Sequence, residues 1–199
     1  MINKNSKIFI TGHKGLVGSS LYSLLRTKGY KNLIIRNRNQ LDLLDTKKVE
    51  NFFKKKKIDI IINCAAKVGG ILANSSSPVE FFYENIQMQN NLLMSANKHK
   101  VKRFIYLGSS CIYPKDTKTP IKEDQLLTGK LEKTNEAYAL AKISGIKLSE
   151  FLFYQKKQDI ICIMPTNLYG VNDNFEKFSS HVIPGMIAKF KSSKKNKKK

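Results

Sequence analysis

Four residues near the middle of the chain have the types and spacing for proton chemistry: Ser109, Cys111, Tyr138 and Lys142. Tyr138 and Lys142 stand four apart in the segment YALAK, a spacing that puts both side chains on one face of a helix. A lysine so placed can lower the pKa of a phenol and let tyrosine act as an acid or base near neutral pH. Bringing a tyrosine from about 10 towards 7 requires roughly 4 kcal/mol of differential stabilisation. Ser109 opens the segment SSCIYP directly after the apolar run FIYL, where a parallel strand would end. That edge of an open α/β sheet is where ligands bind. Tyr-x-x-x-Lys pairs arise by chance on lysine-rich helices, so the strand-end serine and a glycine loop near the N-terminus give this pair its weight.

The glycine loop is Gly12-His13-Lys14-Gly15-Leu16-Val17-Gly18, a G-x-x-G-x-x-G between a strand pattern and a helix pattern. Gly12 permits the tight turn, Gly15 lets backbone N–H groups approach a pyrophosphate, and Gly18 allows the helix to pack closely on the sheet. The segment after the second strand carries Arg36-Asn37-Arg38 and no acid before Asp42, where an NAD-preferring site usually has a carboxylate for the ribose 2′-hydroxyl. Arg36 and Arg38 suit a 2′-phosphate instead, so NADP(H) is the expected cofactor, with Lys14 in reach of the same phosphate. Asp45 has two roles open to it: accepting from the adenine amine, or capping the next helix.

Strand and helix patterns alternate along the chain. Strands are expected at 6–11, 32–36, 58–66, 103–110 and 159–170, the last with its exit loop. Helices are expected from the glycine loop to Lys28, at 46–56, from Pro78 to His99, and across Tyr138 and Lys142 at 135–154. The continuous Ile, Val and Leu runs fit strands buried on both faces of a parallel sheet. The expected fold is α/β, a doubly wound parallel sheet of the NAD(P)-binding Rossmann type. The expected division is a nucleotide-binding domain over 1–188 and a lysine-rich, disordered tail over 189–199.

The chain has 199 residues and a formal charge of +21, a third of it from the seven lysines of 189–199. Lysine far exceeds arginine, no nucleic-acid-binding motif is present, and specific nucleic-acid binding is not expected; attraction for an anionic nucleotide substrate is the milder use of the charge. No apolar run approaches a membrane span and the N-terminal segment lacks a signal-peptide pattern, so cytoplasmic residence is the expectation. The three cysteines, Cys64, Cys111 and Cys162, show no metal-ligand spacing, and no metal site is expected. Cys64 and Cys162 read as small hydrophobes in strands; Cys111 lies past a strand end beside the serines.

Together the glycine loop, the Ser-x-Cys strand end and the Tyr-x-x-x-Lys helix resemble the extended short-chain dehydrogenase/reductase family. Finer segments run from about Lys7 to Phe190: GHKGLVGS, AAKVGGI, LGSSCIYP, TNEAYALAKISGIKL, MPTNLYG, and DNF followed by SHVIPGMI. They are similar to the branch that converts GDP-4-keto-6-deoxy-D-mannose to GDP-L-fucose. The resemblance implies that Tyr138 protonates the C4 oxygen during reduction and that Ser109 hydrogen-bonds it. Lys142 would hold the nicotinamide ribose, and Cys111 with His181 would form the acid/base pair that inverts C3 and C5. A thiol near 8.5 and an imidazole near 6.5 can exchange protons acidified by the adjacent ketone. Leu107, Ser109 and Ser110 at the fourth strand end, and Pro165-Thr166-Asn167-Leu168 after the fifth, would line the cofactor. Val68-Gly69-Gly70 would border cofactor and sugar, and Lys189 would contribute charge to the substrate.

The residues also admit plainer roles: Ser109 as a turn cap, Cys111 as a buried bystander, His181 as a surface or core histidine. Members of the family continue into a smaller C-terminal substrate domain that grips GDP and sugar, and that part is missing from these 199 residues. Two alternatives therefore stand beside the epimerase/reductase: an inactive or regulatory NADP-binding fragment, and another nucleotide-sugar epimerase or dehydratase. The resemblance also implies a homodimer in which the helices at 79–98 and 135–154 pair with their copies. Phe81, Phe82, Leu92, Leu93, Phe151 and Phe153 are candidates for its core or interface.

Overall fold

The computed structural model describes residues 3–176 and 178–196. Its framework is a five-stranded, all-parallel sheet: β1 (Ile8–Thr11), β2 (Leu33–Ile35), β3 (Ile60–Asn63), β4 (Arg103–Leu107) and β5 (Ile160–Ile163), in the order β2-β1-β3-β4-β5. In register, Ile8 lies opposite Leu33 and Ile60, Ile60 opposite Arg103, and Phe104 opposite Ile160. The chain steps outward from β1 to β2, then returns to the other side of β1 for β3. The crevice between the carboxyl ends of β1 and β3 is thus a switch point, where such sheets bind ligands.

Between the strands run α1 (Leu16–Thr27), α2 (Thr46–Lys55), α3 (Ile71–Ser76), α4 (Pro78–Lys98) and α5 (Glu136–Lys156), and α6 (Val182–Asn196) follows β5. Alternation along the strands separates two cores. Ile8, Ile10, Ile60 and Ile62 face α1, against Leu21, Tyr22 and Leu25. Phe9, Ile61, Phe104 and Tyr106 face the other way, against Val49 and Phe53 of α2, Leu92, Leu93 and Ala96 of α4, and Leu152 of α5. Gly29 ends the first helical segment with a φ of 84°.

Three differences from the sequence expectation have physical causes. Strand β5 is buried on one face only: Ile160 and Cys162 pack toward the core, while Ile161 and Ile163 are 42% and 44% exposed. An all-apolar run signals a strand but does not say whether both of its faces are covered. Second, α6 runs from Val182 into the lysine-rich segment as far as Asn196; positions 197–199 lie outside the described residues. Lysine is a good helix former, and cations are favoured near a helix C-terminus. Third, the helices at 71–76 and 182–196 were not anticipated; Gly70, the N-cap of the first, offers no side chain to mark its start. Of the six aromatic and leucine candidates for core or interface, Phe81, Leu92 and Leu93 are buried, whereas Phe82, Phe151 and Phe153 are 41–57% exposed.

Candidate active site

The glycine loop leaves β1 through Gly12, whose φ of 63° lies in the left-handed region that favours glycine. A Cβ there would lie 2.6 Å from the Cys64 carbonyl oxygen, so loop and β3 exit pack backbone on backbone. At Gly18, buried in the first turn of α1, a Cβ would clash with the Gly12 carbonyl. Gly15 is the N-cap of α1 and offers no side chain to cap it; the first turn holds no acid. The N–H groups opening α1 at Leu16 and Val17 thus have no side-chain partner among the described residues and present positive potential, the arrangement that takes a phosphate. Thr11 and Asn63 tie the ends of β1 and β3 together: the threonine hydroxyl donates to Asn63 Oδ1 at 2.7 Å and accepts from the Ala65 N–H at 3.1 Å.

A cavity of about 420 Å³ opens on this loop. Gly12, His13, Lys14, Gly15, Arg36, Asn37, Arg38, Asp42, Leu43, Ala65 and Met88 are among its walls. Arg36 lies over the Phe52 ring at 5.6 Å and donates to the Ile35 carbonyl, while Arg38 pairs loosely with Asp42 at 3.4 Å on the surface. Burial and the neighbouring Lys14 cation lower the pKa of His13, so the imidazole is held neutral in a loop built for anions. Of the two roles open to Asp45, the structure shows the cap: its carboxylate accepts the Lys48 N–H at 2.9 Å, and it does not line the cavity. Asp42 and Leu43 line it instead.

The second group assembles where β4 ends. Ser109 begins a 3₁₀ turn over Ser110–Ile112, and its Oγ lies 2.8 Å from Cys111 Sγ. Tyr138 and Lys142 come from the first turns of α5, with the Lys142 Nζ 5.8 Å from the Tyr138 ring centroid. Lys142 is 4% exposed and donates to the Leu107 carbonyl at 2.7 Å. Its burial brings its pKa down to about 8, against the pull of the Cys111 and Cys64 thiols. Burial raises the Tyr138 phenol, with the Cys111 thiol adding to the rise and the Ser109 hydroxyl opposing it. This corrects the expectation that Lys142 depresses the phenol: in the protein alone, desolvation dominates and Tyr138 stays protonated. Burial raises Cys111 as well, with Ser109 and Lys142 opposing, so its thiol is neutral at pH 7.

Other expected site residues lie after β5. Pro165 is half-buried and Thr166, Asn167 and Leu168 are exposed beyond β5. His181 immediately precedes α6; its imidazole is exposed and has no hydrogen-bond partner among the described residues. The preceding residues reach the loop after β3, where the Gly70 N–H donates to the Ser179 carbonyl at 3.1 Å. Lys189 is exposed on α6. Among the described residues no cluster of His, Cys, Asp or Glu could hold a metal ion, and no helix is long and apolar enough to cross a membrane.

Several supporting residues escaped sequence reasoning. Asn85 accepts from the Lys67 N–H at 2.8 Å and returns a bond to the Lys67 carbonyl at 3.0 Å, pinning the loop after β3 to α4. Gln89, one turn further on, donates to the Ala141 carbonyl at 2.7 Å and thereby ties α4 to α5. Their signal was present: the stripe Phe81, Asn85, Gln89, Leu92, Ala96 places two amides on an otherwise apolar face.

A profile of the NAD dependent epimerase/dehydratase family matches residues 8–199. The chain belongs to that family. It is 48% identical over 196 residues to GDP-L-fucose synthase 1 of Arabidopsis thaliana, covering 98% of this chain and 61% of the relative. Identity to the GDP-L-fucose synthase of Escherichia coli (strain K12) is 47% over 184 residues, covering 92% and 57%. The chain thus spans about 60% of the length of the curated relatives it matches. Among solved structures, a GDP-D-glycero-L-gluco-heptose synthase from Campylobacter jejuni, determined in the presence of NADPH, superposes with a TM-score of 0.91 at 35% identity, covering 96% of this chain and 56% of that one.

Proposed function

We propose that the chain carries the cofactor-binding and catalytic half of an NADPH-dependent enzyme that epimerises GDP-4-keto-6-deoxy-D-mannose at C3 and C5 and reduces C4, giving GDP-L-fucose. The observation that carries this reading is the Cys111 thiol beside Ser109, on the sheet edge that also bears Tyr138 and Lys142. Ketone reduction alone needs a proton donor and a cofactor clamp; a thiol in the same cluster adds a group that can move protons beside the ketone. The names and cofactors of the relatives point the same way.

The cavity walls fit the adenosine end of the cofactor. The α1 N-terminus would take the pyrophosphate, and Arg36, Arg38 and Lys14 a 2′-phosphate. When bound, NADPH supplies the hydride that reduces C4. Ser109 would donate to the C4 oxygen, and Tyr138, held protonated by burial, would deliver the proton that balances that hydride. Lys142 would grip the nicotinamide ribose. Before reduction, the C4 ketone acidifies the protons on C3 and C5 by delocalising the carbanion into an enolate. Cys111 and His181 would remove and return those protons on opposite faces, with no net change in protonation.

The reading brings with it a homodimer through α4 and α5, whose exposed Phe82, Leu140, Phe151 and Phe153 supply an apolar surface. It also brings cytoplasmic residence, where three free thiols remain reduced. The exposed His181 favours one second reading, an NADP-binding fragment without turnover. Incubating the chain with NADPH and GDP-4-keto-6-deoxy-D-mannose in D₂O tests both. Nicotinamide oxidation with deuterium at C3 and C5 supports the enzyme. Tight NADPH binding with neither signal supports the fragment.

A further inference from the structure

Lys142 does not rest on the sheet by its own helix alone. Directly below its ammonium lies the ring of Tyr106 on β4, 5.1 Å from Nζ to the centroid and fully buried. The Tyr106 hydroxyl donates to Gln89 Oε1 of α4 at 2.6 Å. The other end of the same amide donates to the Ala141 carbonyl at 2.7 Å and the Ser144 hydroxyl at 2.9 Å, on the turn of α5 that bears Lys142. The phenol fits only because the next turn presents a bare α-carbon. A Cβ on Gly145 would lie 2.6 Å from Tyr106 Cζ and 2.7 Å from Gln89 Oε1. Glycine in a helix interior costs about 1 kcal/mol against alanine, so its presence mid-helix marks the close approach of another group.

We propose that Tyr106, hung from Gln89 and seated against Gly145, is a positioning residue that fixes the Lys142 ammonium at the height where it meets the cofactor ribose. The ring faces a desolvated cation, which its π-cloud stabilises, while the Leu107 carbonyl holds the ammonium at 2.7 Å. Aromatic face and carbonyl together favour the charged form of this buried lysine. The remaining titratable groups around it are Cys64 after β3, Cys111 in the 3₁₀ turn and Tyr138 on α5. None of them carries charge at neutral pH in this environment, as burial raises all three. The proposal rests on the reading of Lys142 as the ribose-binding lysine.

The test is the titration of the Lys142 side chain in the full chain, followed by NMR of ¹³Cε-labelled lysine and assigned by its loss in Lys142→Met. Tyr106→Leu removes the ring and is expected to lower the titration midpoint by about 0.5–1.5 pH units. It should also weaken NADPH binding several-fold at pH 7.5. Tyr106→Phe keeps the ring and should titrate within a few tenths of a unit of the parent. Gly145→Ala pushes the ring aside and should move the midpoint the same way as Tyr106→Leu, a second route if the leucine variant does not fold. Midpoints that stay put or rise in both ring-displacing variants overturn the proposal, as does a Tyr106→Phe midpoint falling as far as that of Tyr106→Leu. If the parent chain itself fails to bind NADPH, the reading of the site fails, while the titration still decides whether Tyr106 governs Lys142.

Discussion

Replacing Lys142 by methionine should make the fold more stable while removing function. The ammonium is 4% exposed and burial brings its pKa from an ordinary 10.5 to about 8. Between those two values the unfolded chain binds more protons than the folded one, so stability rises with pH across the window, and the full cost applies below pH 8. The shift amounts to roughly 3 kcal/mol at pH 7. Methionine keeps the stem packed on Tyr106 and needs no hydration, but it leaves the Leu107 carbonyl without this donor, a loss of about 1–2 kcal/mol. The expected net gain is about 1–2 kcal/mol at pH 7, a rise of roughly 3–6 °C in Tm for a chain of this size. From pH 7 to 9 the parent should recover about 1 kcal/mol relative to the variant. Urea unfolding of both proteins at the two pH values measures this. A variant less stable than the parent at pH 7, with a difference that does not change at pH 9, would refute the reasoning and mean that the buried ammonium is adequately solvated by its neighbours.

Gly18→Ala should weaken NADPH binding at least tenfold by calorimetry, because the added methyl collides with the Gly12 carbonyl and forces the phosphate loop open. Arg36→Ala with Arg38→Ala should reduce the preference for NADPH over NADH by about 1–3 kcal/mol, read as the ratio of the two dissociation constants; an unchanged ratio would move the 2′-phosphate elsewhere. Cys111→Ser should suppress deuterium exchange at C3 and C5 by about two orders of magnitude while leaving NADPH affinity within twofold, as measured by product NMR and fluorescence titration.

How much of this was legible beforehand depends on which interactions are local. The glycine loop, the strand runs and the Tyr138–Lys142 pair are spacing signals, and each lies where spacing puts it: Gly15 at the N-cap of α1, Ser109 just past β4, Tyr138 and Lys142 on α5. What spacing cannot give is the sign of a balance between distant groups. The expectation of a lowered Tyr138 pKa took account of the lysine one turn away but not of the desolvation supplied by the surrounding sheet edge. Asp45 shows the same limit at short range, since cap and adenine contact are equally compatible with LDLLD until the backbone shows the Lys48 N–H aimed at the carboxylate. The partners of Gln89 and Gly145 were hidden for another reason, although the stripe on α4 marks Gln89 as a buried amide. Their roles arise from a contact among β4, α4 and α5, three elements brought together only by the fold.

The division between the settled and unsettled parts of the site follows the strands. The part held by β1, β3, β4 and the first turns of α5 is tied by buried or part-buried polar bonds: Thr11 to Asn63, Asn85 to Lys67, Gln89 to Tyr106, Lys142 to Leu107. Past β5 the character changes. Leu168, Tyr169, Val171, Phe178, Val182, Met186, Ile187 and Phe190 are 46–80% exposed, and His181 and Lys189 sit among them. On the proposed reading, reduction would draw on the first set and the cofactor, whereas epimerisation would also need His181 from the second. Binding energy from the remote GDP and sugar contacts does its work by holding reacting atoms in line. A loosely held His181 should therefore depress proton exchange at C3 and C5 more than hydride transfer to a simple ketone. Comparing the two rates in this chain with those of a longer relative measures how far that second set is organised, and equal losses in both would show that the weakness lies in cofactor binding instead.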